Sequence, residues 1–453
     1  MKISIENFKS IRKLRNFELR PLTILSGINS SGKSSFIQLL LLMKQTVELS
    51  SAKQPFYLDG NLYNVREFKD IVFNHDIENN IEVSFLFDKE EVLRIQNPEL
   101  SIFKNNNFTT AVIIKFAALS DSVFIKEFEV KIESSDDIKK PYINFRFNGK
   151  DYSIETNDNL FGKEIWDKVN TGSVNFLSFY PLYLQGSGNN TEDIVLKLNW
   201  VKKLVNPFFE KSSYIGPNRE SPQEEYSAKR NLKTVNPTGN NVAQILENFA
   251  DEQIQLFQIT NQDDIIEYKL EKATLAAGVK YWMCDVFNVA DDLQAKRIGE
   301  NYQVVLVSKS KLSTNIKHVG FGISQLLPIV VEGLRMSLEG TLIIEQPEIH
   351  LHPKLQSLLF DFLYGLTLQG KKVIVETHSS HFITRMRRRI AEDESNEMDG
   401  RINLTFIEND IFRTIGLNDY GGLDYYPEDF IEQPNSELEA IVKAQMNKRL
   451  KKK

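Results

Sequence analysis

The chain has 453 residues, 41% of them hydrophobic, which is enough to bury a substantial core spread over more than one lobe. A formal net charge of −6 excludes a protein coated with nucleic acid over its whole surface. The single cysteine, Cys284, excludes an intrachain disulfide and a cysteine-based zinc site. No apolar run reaches the roughly 18 residues of a membrane span, and a strand-like segment stands in place of a signal peptide. We therefore expect a cytoplasmic protein without a membrane partner.

The first elements along the chain are predicted to be short strands. Isoleucines alternate with polar residues between Met1 and Phe8, as in a half-buried strand, and Phe17 to Leu25 supplies two more. Apolar residues at helical spacing follow from Ser34 to Lys44. The sequence thus predicts a strand, a loop and a helix in succession.

The loop between that strand and helix meets every fixed position of the phosphate-binding pattern G-x-x-x-x-G-K-[ST]. Its glycines let the backbone curl so that N–H groups and the helix N-terminus face an anion. Lys33 is expected to neutralise the β- and γ-phosphates, and the Ser34 hydroxyl to hold Mg²⁺. Glycine- and serine-rich turns before helices often bind nothing, but Lys33 and Ser34 in register behind a strand favour nucleotide binding. The loop consists of Gly27, Ile28, Asn29, Ser30, Ser31, Gly32, Lys33 and Ser34.

Beyond this P-loop, the sequence predicts a loop, a sheet and then helices. Tyr57 to Asp76 mixes turn residues and aromatics without a clear period, and its place in the chain suits a nucleotide-sensing loop. Segments rich in Ile, Val and Phe predict an antiparallel sheet from about Ile81 to Ile154. Apolar residues at helical spacing predict helices over Thr191–Phe209, Asn240–Thr260 and Ile265–Val289. No heptad persists long enough for a coiled-coil arm.

One irregular loop lies between two of these predicted helices. It reads SSYIGPNRESPQEEYSAKR, with a turn at Gly216-Pro217 and Arg219 just beyond it. Contact between Arg219 and a phosphate stays open, but a surface arginine is the preferred interpretation.

Three later stretches carry the polar residues of a second half-site. Thr341 to Ile344 predicts a buried strand that ends in Glu345, where a carboxylate can hold Mg²⁺. Val373 to Val375 predicts another such strand, followed by His378 within reach of a γ-phosphate or a water molecule. Gly320 to Gln325 opens a helix with two glycines and a serine, a second anion-binding arrangement. One nucleotide cannot occupy two distant helix N-termini of one subunit, so we expect ATP to lie between two copies of the chain.

These motifs resemble an ABC-type head of the AAA-family ATPases in the structural-maintenance-of-chromosomes, RecF and overcoming-lysogenisation-defect group. IENFKSIRKLRNFEL resembles the opening strands of that family, GINSSGKSS its Walker A motif and VGFGISQLLP its signature. EQPEIHLHP resembles its Walker B motif and D-loop, and ETHSSHF its switch histidine. The resemblance covers Met1 to about His381. It implies an α/β fold, a P-loop NTPase of the ABC-type ATPase head with an antiparallel β lobe and a helical insertion.

The ending GGLDYYPEDFIEQ resembles a segment of bacterial ATPases of this group that lack long coiled coils. Several such ATPases serve antiviral defence, among them the ATPase of the Septu system. The resemblance implies four parts: an N-terminal ATPase lobe over residues 1–80, an antiparallel β and helical insertion over 81–300, a C-terminal ATPase lobe over 301–390, and a C-terminal extension with a basic tail over 391–453.

The resemblance also implies roles by position, with ATP and Mg²⁺ as the cofactors and a homodimer or higher homo-oligomer as the assembly. The Walker A residues from Gly27 to Ser35 would hold the triphosphate, Ser34 and Glu345 would serve Mg²⁺, His378 would sense the γ-phosphate, and Gly322 and Ser324 would close the site of a partner copy.

One position departs from the family pattern. The acid that usually follows the Walker B acid is replaced by Gln346. An amide can orient a water molecule but cannot take its proton, so hydrolysis is expected to be slow unless Glu348 or Glu376 substitutes. Low turnover suits a switch better than a motor.

Two functions are weighed on this basis. The preferred hypothesis is an ATP-dependent dimeric switch of a bacterial antiphage defence complex, acting with a separate effector nuclease. The alternative is a RecF-like DNA-repair ATPase that acts directly on duplex DNA, and nucleic-acid binding stays open. The basic runs at Arg385–Arg389 and in the terminal KRLKKK are its candidate contacts, although such runs are more often solvated faces.

Three other activities are not favoured. About 70 residues follow His381, fewer than the roughly 100 of a typical domain, so a nuclease is expected on a separate subunit. His350, His352, His378 and His381 crowd together, but their spacing matches no helix-borne zinc site. A guanine-specific Asn-Lys-x-Asp segment is missing from the sequence.

Overall fold

The fold is taken from a computed structural model of the chain. It describes residues 1–28, 31–49, 55–95, 97, 100, 107–119, 122–134, 140–157, 160, 174–184, 191–229, 233–262, 265–308, 310 and 312–427. Asn29, Ser30 and the terminal KRLKKK therefore lie outside the described residues.

Among the described residues, strands are the commonest regular elements of the N-terminal half, and they recur through the rest of the chain. In chain order they are β1 Lys2–Phe8, β2 Ile11–Glu18, β3 Leu22–Gly27, β4 Ile81–Asp88, β5 Phe108–Leu119, β6 Ser122–Ser134, β7 Tyr142–Phe147, β8 Tyr152–Thr156, β9 Val174–Leu177, β10 Tyr180–Leu184, β11 Ser212–Ile215, β12 Tyr226–Ser227, β13 Gln253–Gln262, β14 Ile265–Thr274, β15 Asp292–Ile298, β16 Asn301–Val307, β17 Ser313–Asn315, β18 Thr341–Glu345, β19 Lys372–Glu376, β20 Ile402–Glu408 and β21 Ile411–Ile415.

Helices lie between these strands along the chain. Within the described ranges, none is long and apolar enough to cross a membrane. Single helical turns lie at Phe68–Asp70, Phe73–His75 and Ile316–His318, and a wider turn, Tyr281–Val286, continues the fifth helix. The α-helices are α1 Lys33–Leu49, α2 Lys89–Leu93, α3 Thr191–Glu210, α4 Val242–Asn248, α5 Leu275–Lys280, α6 Phe321–Arg335, α7 Pro353–Leu368, α8 Ser380–Glu392 and α9 Met398–Arg401.

The described residues fold into two compact units. The first is built from Met1–Leu19, Ser34–Ser212 and Asn409–Ile411. The second is built from Arg20–Lys33, Ser213–Glu408 and the segment that begins at Phe412.

The first unit contains an antiparallel sheet of seven strands in the order β2-β1-β4-β5-β6-β7-β8. Along β4 every second side chain is buried, so one apolar face covers a core while the other faces outward. Phenylalanines fill that core: Phe56 stacks on Phe116 with ring centroids 4.3 Å apart, and Phe17 meets Phe36 of α1 edge-on at 5.0 Å. The antiparallel sheet predicted between Ile81 and Ile154 is confirmed.

The second unit is organised by a six-stranded sheet in the order β11-β18-β19-β3-β20-β21. β18, β19, β3 and β20 run parallel, and β3 and β18 are buried at every position. Strands buried on both faces need continuous apolar runs, which is why TILS and TLII lack alternation. The predicted strands ending at Glu345 and Glu376 are confirmed.

A long hairpin, β13–β14, corrects part of the helix prediction. Thr191–Glu210 is helical as predicted, but helix over the whole of Asn240–Thr260 and Ile265–Val289 is wrong, because ten residue pairs join β13 to β14. Phe257 of β13 packs against Trp282, with ring centroids 4.9 Å apart. Cys284 is buried as predicted, and burial raises the pKa of its thiol to about 11.

Replacing Gly365 with alanine tests how closely this hairpin packs against α7. An added Cβ would lie 2.0 Å from the Phe257 ring, so we expect the free energy of unfolding to fall by about 1–3 kcal/mol, as for an overpacked core. Thermal unfolding of Gly365→Ala would measure this loss. The matched control is Gly400→Ala on α9, where an added Cβ meets nothing within 4 Å. Equal midpoints for the two variants would contradict the packing.

Candidate functional site

The phosphate-binding loop leaves β3 through a glycine that no other residue could replace without a backbone shift. Gly27 has φ 146°, and an added Cβ would lie 2.0 Å from the carbonyl oxygen of Ile407 on β20. Gly32, at the other end of the loop, has φ 94°. The loop backbone therefore depends on both glycines of the motif.

Lys33 is folded back over its own loop. Its ammonium group donates hydrogen bonds to the carbonyl oxygens of Ile28 at 2.6 Å and Gly27 at 3.2 Å, and lies 3.5 Å from the Ser31 hydroxyl. Burial lowers the pKa of Lys33, while the carboxylate of Glu376 acts in the opposite direction. Because carbonyl oxygens are weaker partners than phosphate oxygens, this ammonium group is suited to bind an anion.

The two serines after Lys33 begin α1 and belong to the first unit. Both are half-buried. The Ser35 hydroxyl lies 3.1 Å from that of Ser10. The role of Ser34 as a Mg²⁺ ligand stays a prediction.

Two acids stand side by side where β18 and β19 end. Glu345 and Glu376 are partners in the parallel register, and their carboxyl groups are hydrogen-bonded. The hydroxyl of Tyr214 also donates to Oε1 of Glu345 at 2.5 Å. Burial raises the pKa of Glu345, and these two hydrogen bonds oppose the rise. These two buried carboxyl groups share a hydrogen bond. Carboxylate oxygens are the ligands that a hard cation such as Mg²⁺ prefers.

Gln346, directly after this acid, adopts a left-handed backbone with φ 45°. Its N–H donates to the carbonyl oxygen of Glu376 at 2.8 Å, which ties the turn to the neighbouring strand. A left-handed residue other than glycine is strained, and such strain is found preferentially at functional sites.

Glu348 and His378 form the other side of this edge. The backbone N–H of His378 donates to Oε1 of Glu348 at 2.6 Å, while Oε2 is buried without a hydrogen-bond partner among the described residues. Burial raises the pKa of Glu348. Burial and the charge of Lys33 lower the pKa of His378, so its imidazole is neutral at pH 7. The role of Glu348 as a general base stays a prediction.

The residues predicted to form the signature, Gly322 and Ser324, lie at the N-terminus of α6. An added Cβ on Gly322 would approach the carbonyl oxygen of His350 to 3.0 Å, so this end of the helix packs on the turn after β18. Ser324 is buried, and its hydroxyl donates to the carbonyl oxygen of Phe321 at 2.7 Å. Phe321 itself is 49% exposed.

The whole arrangement joins a glycine loop, a buried lysine and paired acids at one edge of a parallel sheet. The sequence pattern described as "AAA ATPase domain" matches residues 1–383, most of the chain. The chain belongs to the AAA ATPase domain family. This assignment and the mixed fold confirm the predicted P-loop ATPase class.

Solved structures similar to this AAA ATPase include heads of SMC proteins. The SMC head domain from Thermotoga maritima is 11% identical with a TM-score of 0.36, over 92% of this chain and 98% of that one. An SMC head bound to the C-terminal winged-helix domain of ScpA is 10% identical with a TM-score of 0.39, over 92% and 97%. The head from Pyrococcus furiosus, bound to the C-terminal domain of ScpA, is 11% identical with a TM-score of 0.34, over 97% and 98%. No curated protein matches the chain.

Arg219 is the residue of this AAA ATPase that the sequence interpretation placed wrongly. It is 7% exposed and bonded to the backbone around Glu345, whereas a surface arginine was the preferred prediction. The only local signal was the Gly216-Pro217 turn after a short apolar strand, which does not reveal what packs over it.

Several of the other singled-out side chains have partners within the fold, although Arg388 and His352 are exposed. In the basic run, Arg385 and Arg389 both bond to the buried carboxylate of Asp361, and Arg388 pairs with Glu392 at 2.5 Å. His352 caps the N-terminus of α7. In the part of the chain that the structure describes, no group of three His, Cys, Asp or Glu residues could hold a metal ion.

Tyr214→Phe tests the environment of Glu345. This variant removes a hydrogen bond that opposes the effect of burial, so the pKa of Glu345 should rise further. If the ionised carboxylate is required, the rate falls as pH drops through this pKa, and the acid limb of the pH–rate profile should move to higher pH. Steady-state ATP hydrolysis across the pH range measures it.

The control is Tyr302→Phe, whose hydroxyl donates to Asn248 away from these acids. An acid limb that moves equally in both variants, or in neither, would contradict the assigned role of Tyr214.

Proposed function

We propose that this protein is an ATP-dependent dimeric switch of a bacterial antiviral-defence complex, and that it acts with a separate effector nuclease. The observation that carries the switch is the presence of two complementary half-sites on one chain. Lys33 and Glu345 form one half, and the N-terminus of α6 around Ser324 forms the other. Two copies facing each other would complete two nucleotide sites.

In this proposal, the chain's own residues would bind ATP and Mg²⁺. The P-loop amides and Lys33 would hold the triphosphate, since the ammonium group now rests on loop carbonyls and can exchange them for phosphate oxygens. Glu345 would hold Mg²⁺, which when bound neutralises phosphate charge. His378, neutral at pH 7, could donate or accept one hydrogen bond at the γ-phosphate.

Dimer contact is supported at the second half-site. An added Cβ on Gly320 meets nothing within 4 Å, and the half-exposed Phe321 stands beside the ring of His350 at 5.7 Å. An open backbone at a helix N-terminus accepts an anion, and an exposed aromatic ring favours a protein contact. Ser324 would have to release Phe321 to reach a phosphate of the partner copy.

Slow hydrolysis is part of this proposal. The Gln346 amide can orient a water molecule, but the proton would have to pass to another group, and Glu348, a buried carboxylate with a raised pKa, is our candidate. If ATP is hydrolysed slowly, the two copies stay joined for longer, as a switch with a long-lived active state requires.

The defence role and the nuclease partner rest on the resemblance of GGLDYYPEDFIEQ and the head motifs to antiviral ATPases. The RecF-like alternative, direct action on duplex DNA, would use the basic run of α8. Because Arg385 and Arg389 share the Asp361 carboxylate, that run offers less free positive charge than its sequence suggests.

Lys33→Ala tests nucleotide-driven assembly. Loss of one or more charged hydrogen bonds, each worth about 1.5–3 kcal/mol, should weaken ATP binding about 10- to 100-fold. Calorimetry gives the affinity, and light scattering with and without ATP gives the assembly. Lys317→Ala, at an exposed ion pair with Glu224, is the control and should behave as wild type.

ATP-dependent dimers of Lys33→Ala as stable as those of wild type would contradict the proposal. Tight, salt-sensitive binding of duplex DNA by the ATP-bound wild type would favour the RecF-like alternative.

Gln346→Glu tests the cause of slow turnover. A carboxylate can accept the proton of the attacking water, so kcat should rise, by about 100-fold if general-base catalysis is what the wild type lacks. Steady-state phosphate release measures this change, with Gln255→Glu on the exposed side of β13 as the control. An unchanged kcat with unchanged ATP affinity would show that another acid already acts as the base.

A further inference from the structure

A buried arginine joins the two half-sites within one chain. Arg219 follows the Gly216-Pro217 turn after β11, and 7% of its surface is exposed. Its guanidinium group contacts α6 on one side and the end of β18 on the other. These elements carry residues from different halves of the proposed nucleotide sites.

The contacts use every nitrogen of the guanidinium group. Nε donates to Oε1 of Gln325 at 3.1 Å, and Nη1 donates to the carbonyl oxygens of Gly216 at 3.0 Å and Glu345 at 3.3 Å. Nη2 donates to the carbonyl oxygen of Gln346 at 2.9 Å. A planar fork can span a side chain and two successive carbonyl groups, whereas the ammonium group of lysine cannot.

This guanidinium group remains charged although it is buried. Burial lowers the pKa of Arg219 to about 10, and the Glu348 carboxylate opposes that effect. Every hydrogen bond given above goes to a neutral oxygen. Burying a charge is costly, and neutral partners do not fully compensate it, so these contacts require close geometry.

The turn at Gln346 depends on this geometry. Its strained left-handed backbone is held on one side by the N–H bond to Glu376 and on the other by the bond from Arg219 to its carbonyl. The orientation of the peptide group fixes where the Gln346 side chain can point. Arg219 therefore positions the residue proposed to orient the attacking water.

On its other side, Arg219 contacts Gln325, the residue that follows Ser324 in α6. Gln325 is 2% exposed and lies in α6, the helix whose N-terminus would meet the nucleotide of the partner copy. A shift of α6 on docking would be passed through Oε1 of Gln325 to Arg219 and on to the carbonyl of Gln346. The path consists of three groups joined directly by hydrogen bonds: the Gln325 amide, the Arg219 guanidinium and the Gln346 carbonyl.

We propose that Arg219 is a positioning residue that couples the two nucleotide sites of the dimer. When α6 of one copy contacts the nucleotide bound to its partner, Arg219 orients Gln346 of that same copy to hydrolyse the nucleotide that the copy itself binds. This inference rests on the proposed ATP-joined dimer. It goes beyond it by assigning cooperative hydrolysis to one side chain.

The experiment compares wild type with Arg219→Lys and Gln325→Met in steady-state ATP hydrolysis. Two coupled sites give a Hill coefficient of up to about 2, and removing the coupling should bring it towards about 1. We expect kcat to fall about 10-fold in both variants, which is within the usual range of allosteric coupling, while the affinity of nucleotide binding changes by less than about threefold. Replacing a residue with only a structural role would not lower the Hill coefficient and kcat while leaving nucleotide affinity nearly unchanged.

Matched controls separate coupling from folding. Arg20→Lys alters another arginine that donates to backbone carbonyls, those of Asp399 and Ile402, and should keep the wild-type Hill coefficient. Gln325→Met keeps a similar side-chain volume and removes the amide that accepts from Arg219, so the test survives if Arg219→Lys fails to fold. Thermal unfolding and nucleotide affinity confirm which variants are folded.

Two outcomes would overturn the inference alone: a wild type that dimerises with ATP and hydrolyses it without cooperativity, or a folded Arg219→Lys or Gln325→Met that keeps both cooperativity and kcat. A wild type that binds ATP but stays monomeric would overturn the dimer and the coupling together. Light scattering in ATP distinguishes these cases before any kinetics is measured.

Discussion

The parallel pairing of three buried strands is the constraint on which the nucleotide site depends. β3 pairs with β19 and β19 with β18, so all three finish at one edge of the sheet. Lys33 follows the loop after β3, while Glu345 and Glu376 end the other two strands. This register brings one ammonium group and two carboxyl groups into electrostatic range, at the carboxyl edge of the sheet where ligands of parallel sheets bind.

Burial then gives each of these groups its chemical character. It lowers the pKa values of Lys33 and His378 and raises those of Glu345 and Glu348, and neighbouring groups modify each shift. The paired acids favour a cation and the lysine favours an anion. Mg²⁺ bound to a triphosphate supplies both the cation and the anion. Strain and partial desolvation at this edge are also common at functional sites, so they are consistent with nucleotide binding.

Local sequence was sufficient where an element depends on its own residues. The P-loop follows from glycine and lysine spacing, and the antiparallel sheet of the first unit follows from alternation along strands such as β4. The β13–β14 hairpin was missed because its apolar residues fit a helical period as well as an alternating one. Pairing with a second strand, and the packing of Phe257 against Trp282 and Phe362, decided between them.

By itself, the sequence determined that a phosphate-binding loop, two acidic strand ends and a glycine-rich helix start exist on one chain. Only the tertiary structure decided that Arg219 is internal. Its partner Gln325 lies 106 residues away and the Gln346 carbonyl 127. Residue spacing controls local backbone conformation, but the exposure of a side chain depends on what distant segments place over it. The same reason explains why the basic run of α8 looks like a free positive patch in the sequence but is not one in the structure. Two of its arginines bind the buried Asp361, which belongs to another helix.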